Sequence, residues 1–199
     1  FDTGIVTTAR LTHATPAATY AHSPERSWEG DYDRHPNAYW YGCDSIAKQL
    51  VESAYPAGLD LALGGGGSRL KNYYASFKQQ FPAGHLLKNT KDLLEWQAVT
   101  VKPPTIGPVL GVFSLGHMDY EMDRSDDQPS LIQMTKSAVQ YLQGRDDKYL
   151  LVIESARIDH AHHKGNAARA LAETAMLADS VQLADDMTND ADTLIIVTA

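Results

Sequence analysis

Apolar and polar positions along this chain follow two periods, and the change from one to the other marks out its elements. Residues 4–11 alternate loosely and are rich in β-branched side chains, so they read as a strand. Over 44–54 the apolar residues Ile46, Ala47, Leu50, Val51 and Ala54 share one helical face, and Pro56 and Gly58 end the helix. The runs 59–63 and 109–113 read as short buried strands, and 71–80 and 91–98 as modest amphipathic helices. Pro129 at the first helical position opens a helix over 130–142 whose stripe is Leu131, Met134, Ala138, Tyr141 and Leu142, closed by Gly144. The continuously apolar run 149–153 is too short for a buried helix and reads as a strand covered on both faces. Ala168, Leu171, Ala172 and Ala175 recur at i, i+3, i+4 and i+7, which makes 164–187 a long helix, and 192–198 reads as a core strand. Strands alternating with helices describe an α/β fold.

Composition narrows this picture. With 199 residues, 43% hydrophobic and 21% charged, the chain can bury one sizeable core and reads as a single soluble domain over 1–199. The polar and acidic stretches 31–42 and 114–128 read as surface excursions, and the proline-rich 102–108 as a stiff passage inside the domain. A formal net charge of −8 argues against a nucleic-acid partner without excluding an anion held locally by metals. No membrane span and no charged-then-apolar leader is present. Cys43, the single cysteine, is either a buried thiol or bonded to a partner outside these residues.

Candidate chemistry gathers at strand ends. Glu154 falls at the C-terminal end of the 149–153 run, where open α/β sheets bind ligands. In a helix begun near Asp159, residues four apart share a face, so Asp159 and His163 can meet one ion while His160 and His162 point elsewhere. One carboxylate and one imidazole suit zinc; a polar helix start with solvated histidines is the alternative. Pro16 disfavours helix at Thr15, which favours a turn presenting His13 and Thr15 from the first strand, although Thr15 fits a cap or turn role equally. Arg26 lies in a polar turn where a solvated arginine is the default. Gly64 to Gly67 follow a strand but lack both G-K-S/T and G-x-G-x-x-G, so they read as a tight passage and not a nucleotide loop. His117 and the acidic residues of 114–128 lack the spacing of a calcium loop.

The stretch 152–163, with E-x-x-R-I-D-H-x-H-H after a strand, resembles the second metal-binding segment of the alkaline phosphatases. T-H-A-T-P-A-A-T-Y-A-H at 12–22, followed by E-R-S-W at 25–28, is similar to that family's segment with a magnesium ligand pair and a phosphate-gripping arginine. The likeness runs from about residue 4 to 199, dense at both ends and loose between roughly 31 and 107. It implies a three-layer α/β/α sandwich with a mostly parallel central sheet, incomplete here, in a periplasmic, extracellular or cell-surface homodimer. The activity implied is hydrolysis of phosphate monoesters to inorganic phosphate through a phosphoserine, with two zinc ions and a magnesium.

Carried over position by position, the resemblance makes Asp159 and His163 zinc ligands, and Glu154, Thr15 and His13 magnesium-site residues. Arg26 would bind phosphate, while His160 would steady the phosphate or a magnesium-held water, or else be a surface histidine. The nucleophilic serine and the D-H-x-H zinc ligands of relatives are expected outside these residues, so the chain reads as truncated at both ends and inactive alone. Ser114 and Gln128 stand where animal-type relatives carry calcium ligands, and there a cysteine near Cys43 pairs with one further upstream. Two other functions remain open: a related hydrolase of phosphodiesters or sulfates, and a non-catalytic metal-binding module.

Overall fold

In the computed structural model, residues 1–99, 107–145 and 148–198 are described. Five strands, β1 (Asp2–Arg10), β2 (Leu59–Gly65), β3 (His85–Leu87), β4 (Val109–Val112) and β5 (Tyr149–Glu154), form one sheet in the order β3-β4-β2-β1-β5. Every pairing is parallel, and the short helices α1 (Ala14–Ala17), α2 (Pro36–Trp40) and α4 (Gly67–Leu70) lie in the connections. The chain moves from β1 to one side through β2, β3 and β4, then crosses to the other side of β1 for β5. That reversal opens a crevice at the C-terminal ends of β1 and its neighbours, the place where such sheets take ligands.

Alternate residues of the strands feed two cores. Ile5, Ala62, Leu110 and Val112 face one layer, formed by the helix α3 (Ile46–Gln49), its π-helical continuation Leu50–Ala54, and α5 (Tyr74–Gln80). Val6, Leu61, Leu63 and Val109 face the other, with α6 (Thr90–Val99) and α7 (Leu131–Gln143) packed upon them. The stripes expected at 46–54 and 131–142 are all buried, each residue at 9% exposure or less. Helix, sheet and helix therefore make three layers. The strand β3 has no counterpart in the sequence reading.

Four expectations are corrected. Residues 193–198 form no strand: Leu194 and Ile196 are exposed, and among the described residues nothing pairs with the outer edge of β5. Nor is β5 covered on both faces; Tyr149, Leu151 and Ile153 meet a core, whereas Leu150 is 59% exposed. Thr15 lies in a helical turn, α1 (Ala14–Ala17), despite preceding Pro16, because Pro16 sits in the first turn, where its missing N–H would have had no acceptor within the helix. Pro129 stands before α7: Ser130 caps the helix, its hydroxyl accepting from Gln133 N at 3.2 Å while the Gln133 side chain accepts from Ser130 N at 2.8 Å. The passage 102–108 lies outside the described residues as far as 106.

The glycine run has a packing cause. The loop after β4 lies directly against it: Gly66 N donates to Gly116 O at 2.8 Å and Gly67 N to Ser114 O at 2.9 Å. A Cβ on Gly65 would stand 2.3 Å from Gly116 O, and Gly66 has φ of +108°. Gly65→Ala should therefore force the 114–117 loop outward at a cost of about 1–3 kcal/mol, seen as a lowered thermal unfolding midpoint.

Candidate metal and anion site

The crevice is furnished by three chain passages. At the end of β1, Arg10 donates from Nε to Glu29 Oε2 at 2.7 Å and from its second terminal nitrogen to Oε1 at 2.5 Å, and the Thr12 hydroxyl adds a bond to Oε2 at 2.6 Å. This pair ties the 25–29 turn, which carries Arg26, to the strand end. The loop docked on the glycine run brings His117 over Arg10, whose backbone N–H meets Nδ1 at 3.2 Å and whose guanidinium meets Nε2 at 2.5 Å. From the other side β5 delivers Glu154, directly paired with Thr7 and accepting from its hydroxyl at 2.6 Å.

His13 precedes α1 as its N-cap, with its carbonyl receiving Ala17 N and its ring, which makes no capping bond, turned to the other two histidines of the crevice. Rings of His13 and His117 lie 4.9 Å apart, those of His117 and His160 4.3 Å, and those of His13 and His160 5.4 Å. One ring nitrogen from each falls within 4.8 Å of the others. Arg26 is exposed and stands 3.4 Å from His13 Nε2; among the described residues no carboxylate is within ion-pair distance of it. His160 lies on α8 (Arg157–His163), its Nδ1 facing the Arg157 guanidinium at 3.1 Å.

Burial together with these arginines keeps the imidazoles neutral. Burial first, then Arg10 and the neighbouring rings, pushes His117 down to about 3, and burial followed by Arg157 takes His160 to about 4. His13 is also lowered, by burial and then Arg10, while the carboxylate of Glu154 acts weakly in the opposite sense. Burial disfavours the charged form of Glu29, but hydrogen bonds from Arg10 and Thr12 outweigh it and hold the carboxyl below its ordinary range. The crevice thus combines uncharged rings with guanidinium groups, a setting that attracts an anion.

Of the residues expected from sequence, His13, Arg26 and His160 converge, with Glu154 close enough for its charge to act on His13. Thr15 is exposed, and the hydroxyl on Glu154 belongs to Thr7. Asp159 and His163 pair on one side of α8, Oδ1 to Nε2 at 3.4 Å, with side chains 71% and 77% exposed. Tetrahedral ligand atoms at zinc distances stand about 3.4 Å apart, so this pair fits two corners of such a site. No third His, Cys, Asp or Glu joins them among the described residues. At Glu154 the hard carboxylate oxygens suit magnesium, and no cationic side chain among the described residues competes for them. His117 was missed because it lay in an acidic, irregular stretch. Its place just beyond the end of β4 was the available signal.

The family model described as alkaline phosphatase matches residues 1–199. The human tissue-nonspecific isozyme of alkaline phosphatase is 35% identical, covering 98% of this chain and 41% of its own length. Its counterpart from Gallus gallus is 37% identical over 98% of this chain and 42% of its own length. The chain therefore spans about two fifths of the curated relatives it matches. The solved alkaline phosphatase of the Antarctic bacterium TAB5 superposes with a TM-score of 0.73, covering 94% of this chain and 48% of that one. At 21% identity it speaks for the fold alone. A substituted form of that enzyme, 21% identical with a TM-score of 0.68 over 94% of this chain and 47% of its own, is described with Mg bound.

The Arg10–Glu29 pair generates a prediction. Glu29→Ala would leave the Arg10 charge half-buried without its carboxylate and should lower stability by about 3 kcal/mol, read from denaturant unfolding. Because the folded-state pKa of Glu29 is depressed, the wild-type contribution is present above the ordinary carboxylate pKa and is lost as pH falls through the lowered value. The gap between wild type and variant should accordingly close in acid.

Proposed function

The chain belongs to the alkaline phosphatase family, and from that premise we propose that it carries the metal-facing and phosphate-facing part of a phosphate monoester hydrolase. The observation that supports this most directly is Arg26, an exposed guanidinium with no acidic partner among the described residues, held at the mouth of a crevice of neutral imidazoles. A planar guanidinium can bind two phosphoryl oxygens at once, and the Arg10–Glu29 bond fixes the turn it projects from.

In this reading Asp159 and His163 would hold zinc, and Glu154 and His13 would hold magnesium, with Thr15 carried over from the resemblance alone. When bound, the divalent ions polarise phosphoryl oxygens and lower the charge barrier to attack. The chain's own residues then orient and stabilise: Arg26 carries the non-bridging oxygens, and its contribution grows as negative charge develops on them in the transition state. Thr7 holds the Glu154 carboxylate in one orientation from within the sheet. Zinc at two sites, a phosphoserine intermediate, a homodimeric state, and a periplasmic or extracellular location belong to the same proposal. No described helix is long and apolar enough to cross a membrane.

The intact protein should hydrolyse an aryl phosphate, lose that activity on chelation and regain it with zinc plus magnesium. Preference for a diester or sulfate ester would replace this reading with that of a related hydrolase, and full turnover after chelation would remove the metals from it. Residues 1–199 expressed alone should turn over nothing measurable. Arg26→Lys should lower kcat/KM by roughly a hundredfold, with unchanged zinc content.

A further inference from the structure

Three imidazoles with nitrogens within 4.8 Å of one another resemble a tri-histidine metal centre, yet their surroundings have the wrong polarity for one. A histidine bound to a metal through one nitrogen normally donates the other N–H to a carboxylate or carbonyl. Here the partners at the ring nitrogens are donors. Arg10 meets both nitrogens of His117, by its backbone N–H at 3.2 Å and its guanidinium at 2.5 Å, and Arg157 meets Nδ1 of His160 at 3.1 Å. A guanidinium has no acceptor. The His160 Nδ1 must therefore present its lone pair to Arg157, and the ring proton stands on Nε2.

Arg157 is fixed for this task by contacts that leave its terminal nitrogen free. Its Cζ lies 3.7 Å over the ring of buried Tyr120, and its backbone N–H meets the Thr8 hydroxyl at 3.3 Å on β1. Stacking on an aromatic face holds a cation without a carboxylate occupying its donors. Among the described residues no acid lies within ion-pair distance of Arg157.

We infer that Arg157 is a positioning residue: it holds His160, which the family resemblance already sets beside the phosphate and not among the metal ligands, as an Nε2–H donor toward a phosphoryl oxygen. The inference rests on the monoesterase reading for the identity of the anion, whereas the tautomer follows from geometry alone. Tyr120 belongs to the device as the surface on which Arg157 lies.

The test uses the intact protein loaded with zinc and magnesium. Nitrogen-15 spectra of the wild-type histidine rings should show His160 with its proton on Nε2, and Arg157→Met should abolish that preference. Inorganic phosphate should bind about tenfold more weakly to Arg157→Met, the loss of one oriented hydrogen bond to a charged group. His160→Ala should show a similar loss, and the double variant no further one. Metal content should be unchanged in all three, and Arg157→Lys, which keeps a donor-only cation, should recover most of the affinity. A wild-type Nδ1–H tautomer, additive losses in the double variant, or loss of metal from His160→Ala would each overturn the inference. If Arg157→Met does not fold, the wild-type spectrum decides. Failure of the wild type to hydrolyse aryl phosphate counts against the monoesterase reading and leaves the tautomer measurement standing.

Discussion

The Arg10–Glu29 ion pair is the constraint on which the crevice depends. Glu29 is 7% exposed, so neither charge of the pair can be abandoned to solvent without leaving the other in a poorly hydrated place. Around it three passages meet: the exit of β1, the turn carrying Arg26, and the loop carrying His117. The same turn begins α3, because Ile46 N and Ala47 N donate to the carbonyls of Trp28 and Glu29. One carboxylate thus couples the position of Arg26 to the packing of the first helical layer.

That arrangement also sets the electrostatics. Glu29 compensates Arg10, so the guanidinium charges left uncompensated at the crevice are those of Arg26 and Arg157, backed by rings whose burial and neighbours keep them unprotonated. Neutral imidazoles beside guanidinium groups avoid the mutual repulsion that charged rings would suffer at centroid spacings of 4.3–5.4 Å. Below, Thr7 and Glu154 join β1 and β5 through adjacent side chains, so the sheet itself places the carboxylate.

Much of this was legible in the residues because local pattern and burial agree. The stripes of Leu131, Met134 and Tyr141 and of Ile46, Leu50 and Val51 fall inside the core as their spacing requires. The i, i+4 relation of Asp159 and His163 follows from helical geometry alone, whereas the helix expected over 164–187 begins only at Ala167, as α9 (Ala167–Met187), because Gly165 with φ of +61° turns the chain out of α8. What failed depends on neighbours. Leu194 to Val197 have strand composition, but composition does not supply a partner edge, nor does an apolar run supply the layer that would cover Leu150. Pro16 misled because its effect depends on its position within the turn. His117 and Thr7 reach the crevice through tertiary docking: a glycine run permits the first, and strand register places the second. No periodicity encodes either.

Among the described residues the outer margin of β5 is unpaired, which leaves a row of amide hydrogens and carbonyl oxygens pointing away from the sheet. Such a row is a template for any extended backbone of suitable length, whether from the same polypeptide or from a neighbour. Leu150 stands open beside it. The strand that delivers Glu154 to the crevice is consequently also an edge strand, with an edge strand's capacity for pairing.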